Sequence, residues 1–177
     1  AHRALQEENV RLKAMAHLAE SNAGTTTPII SSFGSSPYGT FRIGAGSAEG
    51  VIHGALVLSE RGYALGHVTD AGVHTALVSE ILAPGKTIAA LVAPLDAPGI
   101  PTRFTGSGRG NAYGQVPRDI IVSKGDIVTS GEADGRPIGI VGNVESEPAN
   151  AYSTVFIRSP QNISSLRYVF VLSNILF

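Results

Sequence analysis

The sequence has no cysteine, no tryptophan and a single methionine. Without cysteine there is no disulfide, no thiolate ligand for zinc and no thiol nucleophile. Its 13 Lys and Arg stand against 14 Asp and Glu, so no cationic excess is available to neutralise phosphates, and charge argues against a nucleic-acid partner. Charged residues make up only 15% and hydrophobic ones 43%, which excludes a disordered tail. No apolar run approaches the ~20 residues a membrane helix needs, and no signal-peptide pattern is visible. The chain opens at Ala1 inside a helical pattern, so a segment carrying a membrane anchor is expected upstream of it. What is plentiful is glycine, at 21, and proline, at 10; both point to short strands joined by tight turns.

Residues 1–22, "AHRALQEENVRLKAMAHLAESN", contain neither Gly nor Pro and read as one helix. Leu5, Asn9, Leu12, Ala16 and Ala19 recur at alternating spacings of four and three, the a/d seam of a coiled coil with Asn9 at an a position. Two other readings use the same residues: a seam through Leu5, Leu12, Met15 and Ala19, or an amphipathic helix docked on its own domain. Ser21, Asn22 and Gly24 stop the helix. The expectation is a homodimer formed through this helix.

From Thr25 the period changes to alternation. Candidate strands begin with "PIISSF" at 28–33, include "DIIVS" at 119–123, and end with "LRYVFVLS" at 166–173. They are too many for one small barrel and suit two. The expected class is mainly β, a coiled-coil helix followed by two small antiparallel β-barrels. The first barrel is expected over 24–93, with strands in 152–173 returning to it; the second spans 94–147, and C-terminal strands fill 148–177. "PLDAPGIP" (94–101) and "EPANA" (147–151) are read as crossings between these units.

Ser130, in "GDIVTSGEADGRPIGIVGNV" (125–144), invites a hydrolase reading with His74 and Asp70. Asp126 and Ser130 are separated by a strand, about 13 Å at ~3.3 Å per residue, so they cannot belong to one catalytic loop. The better reading is a turn at Gly125-Asp126, a strand, a hairpin connection and a returning strand. Neither a metal-ligand spacing nor a phosphate loop is present, since "GSGRGNAYG" lacks the Lys-Ser/Thr ending and a following helix. No cofactor is expected. A glycan-binding module is a third reading, poorly supplied by 6% aromatics. Tyr38, Phe41, Phe104, Arg109 and Tyr113 are the candidate partner contacts.

"SSPYGTFRIGAGSAEGVIHGALVLSERGYALGHVTD" resembles the bacterial rod shape-determining MreC family, through Pro37 to Thr40, the turn with Gly46, Ser47, Gly50 and Val51, and the strands after it. "PRDIIVSKGDIVTSGEADGRPIGIVGNV" is similar to the family's second motif, which places Gly125, Asp126, Thr129, Ser130, Gly131 and Gly139. Gly39 and Glu49 stand where the family commonly has Asp, Ala55 where it has Met, and His67 where it has Arg. The resemblance implies barrels reminiscent of the two halves of trypsin-like proteases with no catalytic site. It implies a non-enzymatic scaffold of cell elongation on the cytoplasmic membrane, its β-body on the periplasmic or extracellular side, anchored by a helix absent from this chain. The partners it implies are a class B penicillin-binding protein with RodA, and MreD, MreB and RodZ, with dimers able to extend into filaments.

Overall fold

The run of strong helix formers folds as helix α1 (His2–Ser21) in the computed structural model, which describes residues 1–31 and 36–173. Its end is fixed by Asn22: the backbone turns extended (φ −139°), the main-chain N–H donates to the Leu18 carbonyl at 3.1 Å, and so does the side-chain amide. Gly24 follows because strand β1 (Gly24–Pro28) runs close against the C-terminal strand; a Cβ at Gly24 would lie 2.2 Å from the Val171 carbonyl oxygen.

Among the described residues, twelve strands form two sheets. The first contains β1, β2 (Thr40–Ile43), β3 (Leu56–Leu58), β4 (Ala64–Ala71), β5 (Ala76–Glu80) and, from the far end of the chain, β12 (Tyr168–Leu172), in the order β1-β12-β3-β4-β5-β2. An antiparallel bridge between Ile29 and Ile43 draws its two edges together, helped by Ile30 N–H to Arg42 O and Gly44 N–H to Pro28 O, both 2.9 Å. Phe41, Ile43, Val57, Val68, Val78 and Val169 fill its interior. The second sheet is a closed barrel, β10-β11-β8-β7-β6-β9, from β6 (Thr87–Ala93), β7 (Ile100–Gly108), β8 (Asn111–Pro117), β9 (Ile127–Ser130), β10 (Arg136–Ser146) and β11 (Tyr152–Arg158). Closure leaves no unpaired edge. Five of its strands alternate, with Ile88, Val92, Phe104, Val116, Val128 and Val155 inward, and β10 departs from the alternation at bulges beside Pro137 and Val141.

Three details differ from the sequence reading. The chain passes between sheets at 81–86 and 159–167, whereas the Pro-rich segment after Ala93 and the "EPANA" segment are hairpin turns joining β6 to β7 and β10 to β11. Pro and Gly mark a reversal, and reversals within a sheet look like passages between sheets. Consequently β6, expected in the first unit, is part of the second, and of the two late strands only β12 returns to the first. "DIIVS" is a turn: Ile120 N–H bonds back to Pro117 O and Ser123 N–H to an Asp126 carboxylate oxygen at 2.8 Å. The last residues of "PIISSF" and the segment 174–177 lie outside the described residues.

Candidate partner-binding surfaces

Helix α1 has one docked face and one exposed face. Met15 is 4% exposed and joins the core with Leu56, Leu58 and Phe170, while Leu18 packs against the same cluster. Glu8, Arg11 and Ala14 on that side are half-buried. Arg136 donates to the Asn22 side-chain oxygen at 3.0 Å, tying the helix end to β10. The seam residues Leu5 (69% exposed), Asn9, Leu12 (53%), Ala16 and Ala19 all face outward. At ~100° per residue the seam lies roughly 120° around the helix from the docked face. The alternative seam through Met15 is therefore closed, because Met15 is core. The helix docks on the chain's own domain and leaves the five residues of the expected seam exposed.

Where the sheets meet, a carboxylate from one is held by the backbone of the other. Glu80, at the end of β5, is 5% exposed and accepts main-chain hydrogen bonds from Arg109 and Gly110 in the β7–β8 turn. That turn has three successive left-handed residues, Gly108 (φ 84°), Arg109 (55°) and Gly110 (75°); the Gly108 N–H donates to Leu82 O, and the next two face the carboxylate. Burial raises the Glu80 pKa, against the lowering effect of these N–H groups and the Arg109 charge. Nearby, His67 Nε2 on β4 lies 3.0 Å from the Glu132 carbonyl oxygen, also across the junction. Burial, and then Lys86, lower the His67 pKa, opposed by the Glu132 carbonyl and the Asp134 and Glu132 charges. Neither residue has a local sequence pattern that would reveal its partner.

The motif residues build turns and close strand approaches. A Cβ on Gly46 would sit 2.2 Å from the Gly72 carbonyl oxygen, so the turn Ser47–Glu49 can hydrogen-bond to the β4–β5 hairpin through Ser47 N–H. Gly50 takes φ 85° and Val51 is buried. Glu49 receives the Gly46 N–H at 2.8 Å and lies 2.9 Å from His74 Nδ1; the Gly46 bond first, then His74, lower its pKa. Gly125 (φ 91°) donates to Val141 O, Thr129 pairs with Leu91 and Pro137, and Gly131 begins a short helical turn. A Cβ on Gly139 would lie 2.9 Å from Arg158 O.

These placements remove the hydrolase triad. Ser130 is 2% exposed in the barrel, donates its hydroxyl proton to Ala89 O at 2.7 Å and accepts the Glu132 N–H at 3.2 Å. Asp70 lies on β4 of the other sheet and His74 in the hairpin connection after it, where His74 pairs with Glu49, not with Asp70. Strand pairing opposes Asp70 to Leu77, with the bulge at Val68/Asp70 beside it.

The five candidate contacts divide. Phe41 and Phe104, 1% and 0% exposed, are core residues and not contacts: each falls on the inward phase of its strand. Tyr38 (79%) and Tyr113 (45%) are exposed, and Arg109 is exposed with its backbone turned to Glu80. Sequence reading missed Tyr152 (55%) and Phe156 (37%), which stand outward on β11, Phe156 opposite Tyr113 and Tyr152 opposite Pro117. Their polar phase-mates in "YSTVFIR" were the available signal.

Residues 29–173 match the family described as rod shape-determining protein MreC, barrel core. A search of the curated proteins finds no significant match. Among solved structures, one described as MreC is 21% identical with TM-score 0.78, covering 96% of this chain and 99% of its own. MreC from Pseudomonas aeruginosa is 18% identical, TM-score 0.71, over 85% and 99% of the two chains. MreC from Listeria monocytogenes is 23% identical, TM-score 0.65, over 97% and 90%. At these identities the structures show the shared fold; the family match over residues 29–173 shows the family. The chain belongs to the rod shape-determining protein MreC family.

Proposed function

We propose that this chain is a non-enzymatic scaffold of the cell-elongation machinery that pairs through α1 and presents its β-body to peptidoglycan synthases. The observation that carries the reading is the open seam. A helix already docked by Met15 and Leu18 still exposes Leu5 and Leu12, and apolar side chains on one stripe of a helix call for a second helix. Asn9 on the seam favours a parallel partner in register. Among the described residues no helix is long and apolar enough to cross a membrane; the anchor of this reading precedes Ala1, and the β-body lies on the outer side of the cytoplasmic membrane. The partners of this reading are a class B penicillin-binding protein with RodA, and MreD, MreB and RodZ, with self-association extending to filaments.

The test is binding to a surface densely coated with the extracytoplasmic part of the class B penicillin-binding protein of the same organism. Paired copies grip two synthases at once, so dissociation from a dense surface is expected to slow by about a hundredfold relative to Leu5→Asp/Leu12→Asp, the two converging on a sparse surface. No saturable binding on either surface contradicts synthase recruitment. Equal dissociation from the dense surface contradicts pairing.

A further inference from the structure

The outer wall of the closed barrel carries a feature that scaffolding through α1 does not use. Along β8 and β11 the register sets Tyr113 opposite Phe156, Gln115 opposite Thr154 and Pro117 opposite Tyr152. All six are on the outward phase, since Ala112, Val116, Val155 and Ile157 fill the interior. Directly opposed residues have Cβ atoms about 5 Å apart, and successive same-face rungs are separated by ~6.8 Å. The wall is therefore an aromatic rung, a polar rung and a second aromatic rung, with about 13–14 Å between the aromatic ones. Thr105 flanks Tyr113 on β7, while Asn143 and Glu145 flank Phe156 and Thr154 on β10. Tyr113, Gln115, Thr154 and Tyr152 line an open groove of about 780 Å³ together with Arg103 and Thr105, and Phe156 and Pro117 stand at its margin as the cross-strand partners of the two tyrosines. It continues past Thr154 toward Glu145 and Glu147. The Arg103 guanidinium and the Glu145 carboxylate make no ion pair or hydrogen bond among the described residues.

Three kinds of occupant can be weighed against this lining. An extended peptide binds a sheet by pairing with its edge, but β8 is bonded on both sides by β7 and β11, and β11 by β8 and β10. Laid across such a wall, a peptide would leave its own N–H and C=O groups over aromatic faces without partners, which is costly. A globular partner needs a contiguous dry centre, and here the polar pair Gln115 and Thr154 interrupts the apolar one. A sugar chain has the opposite properties. Each ring has an apolar C–H face that stacks on an aromatic, and a rim of hydroxyl and amide groups that bond to carboxamide, hydroxyl, guanidinium and carboxylate side chains. It needs no main-chain edge.

We propose that the Tyr113–Phe156 and Tyr152–Pro117 rungs of the closed barrel form a binding groove for a linear glycan, with Arg103, Gln115, Thr154 and Glu145 bonding to its rim. The groove is independent of the α1 seam, so its occupancy does not depend on pairing.

The test is titration of the isotopically labelled chain with chitotetraose and, separately, cellotetraose, read by amide chemical shifts. Saturable shifts confined to β7, β8, β10 and β11 are expected, with a dissociation constant on the order of 1 mM. Tyr113→Ala/Tyr152→Ala raises that constant at least about tenfold, and Gln115→Ala raises it severalfold. Tyr38→Ala, an exposed tyrosine near the other sheet, leaves it unchanged. Because the substituted side chains are exposed, the variants should melt cooperatively within a few degrees of the parent, which excludes unfolding as the cause. Absence of saturation by both sugars at about 10 mM overturns the proposal. So does binding that the double variant retains, or shifts centred on another surface.

Discussion

Phe104→Ala is expected to lower stability by about 3–5 kcal/mol, which for a chain of this size moves the melting temperature down by roughly 6–20 °C. Phe104 is fully buried in the closed barrel, facing Ile88 across the β6–β7 pairing and Gly114 across β7–β8. Gly114 is part of the same fit: a Cβ there would stand 2.9 Å from the Phe104 ring, so the ring occupies the space the glycine leaves. Truncation opens a cavity that strands pinned on both sides cannot collapse. Tyr113→Ala, on the neighbouring strand and of similar size, is expected to cost under about 1 kcal/mol, because half of its surface is already in water. A thermal melt of the two variants side by side separates core from surface. Equal losses would mean that the phase of β7 or β8 is wrong.

The same pair shows what was legible in the sequence. Phe104 stands between Arg103 and Thr105, and Phe41 beside Arg42, so the charged neighbour takes the outward phase and sends the aromatic inward. Tyr113 has Asn111 and Gln115 two positions away, and Ala112 and Val116 on the other phase. Alternation thus carried the face of each residue, though aromatic identity alone put all of them on one candidate surface. The helix was legible for the same reason, its period distinguishing an exposed seam from Met15 and Leu18 once one face is docked. Alternation says nothing of which strand lies beside which. Hence the strands and the general class could be anticipated, while the membership of β6 and β11 in the closed barrel could not. Contacts across the junction, such as Glu80 with the β7–β8 turn, join residues far apart in sequence and leave no local pattern.

That junction gives the second large effect. Glu80→Ala removes the acceptor for two N–H groups in a turn of three left-handed residues, and each orphaned donor costs about 1–3 kcal/mol. The buried carboxylate is itself costly to desolvate, which offsets part of the loss, so a net decrease of about 2–4 kcal/mol is expected. Glu80→Gln keeps an acceptor oxygen without the charge and is expected to lose less. The two also differ in pH dependence. Because the folded-state pKa of Glu80 is raised from its ordinary 4.5, the folded chain holds this proton more tightly than the unfolded chain does. Its stabilising contribution is fully present below the ordinary value and is lost as pH rises through the folded one. Relative to Glu80→Gln, the parent should therefore lose stability as pH rises across that window and run parallel to it above. Glu49 acts in the reverse direction: its lowered pKa gives a contribution present above the ordinary value and lost as pH falls through the folded one. Melts of parent and Glu80→Gln at matched pH cancel that contribution. A difference that is constant from acid to neutral pH would show Glu80 to be solvated.

The central claim is that α1 carries two faces, one spent on its own domain and one open to a second copy. It is tested most directly by molar mass from light scattering over a concentration series, for the parent chain and for Leu5→Asp/Leu12→Asp. The account predicts a mass that climbs from one chain toward two in the parent, and a single-chain mass at every concentration in the variant, with superimposable melting curves because Met15 and Leu18 remain docked. A dimer that survives the double substitution, or a variant whose fold melts with its seam, would contradict it.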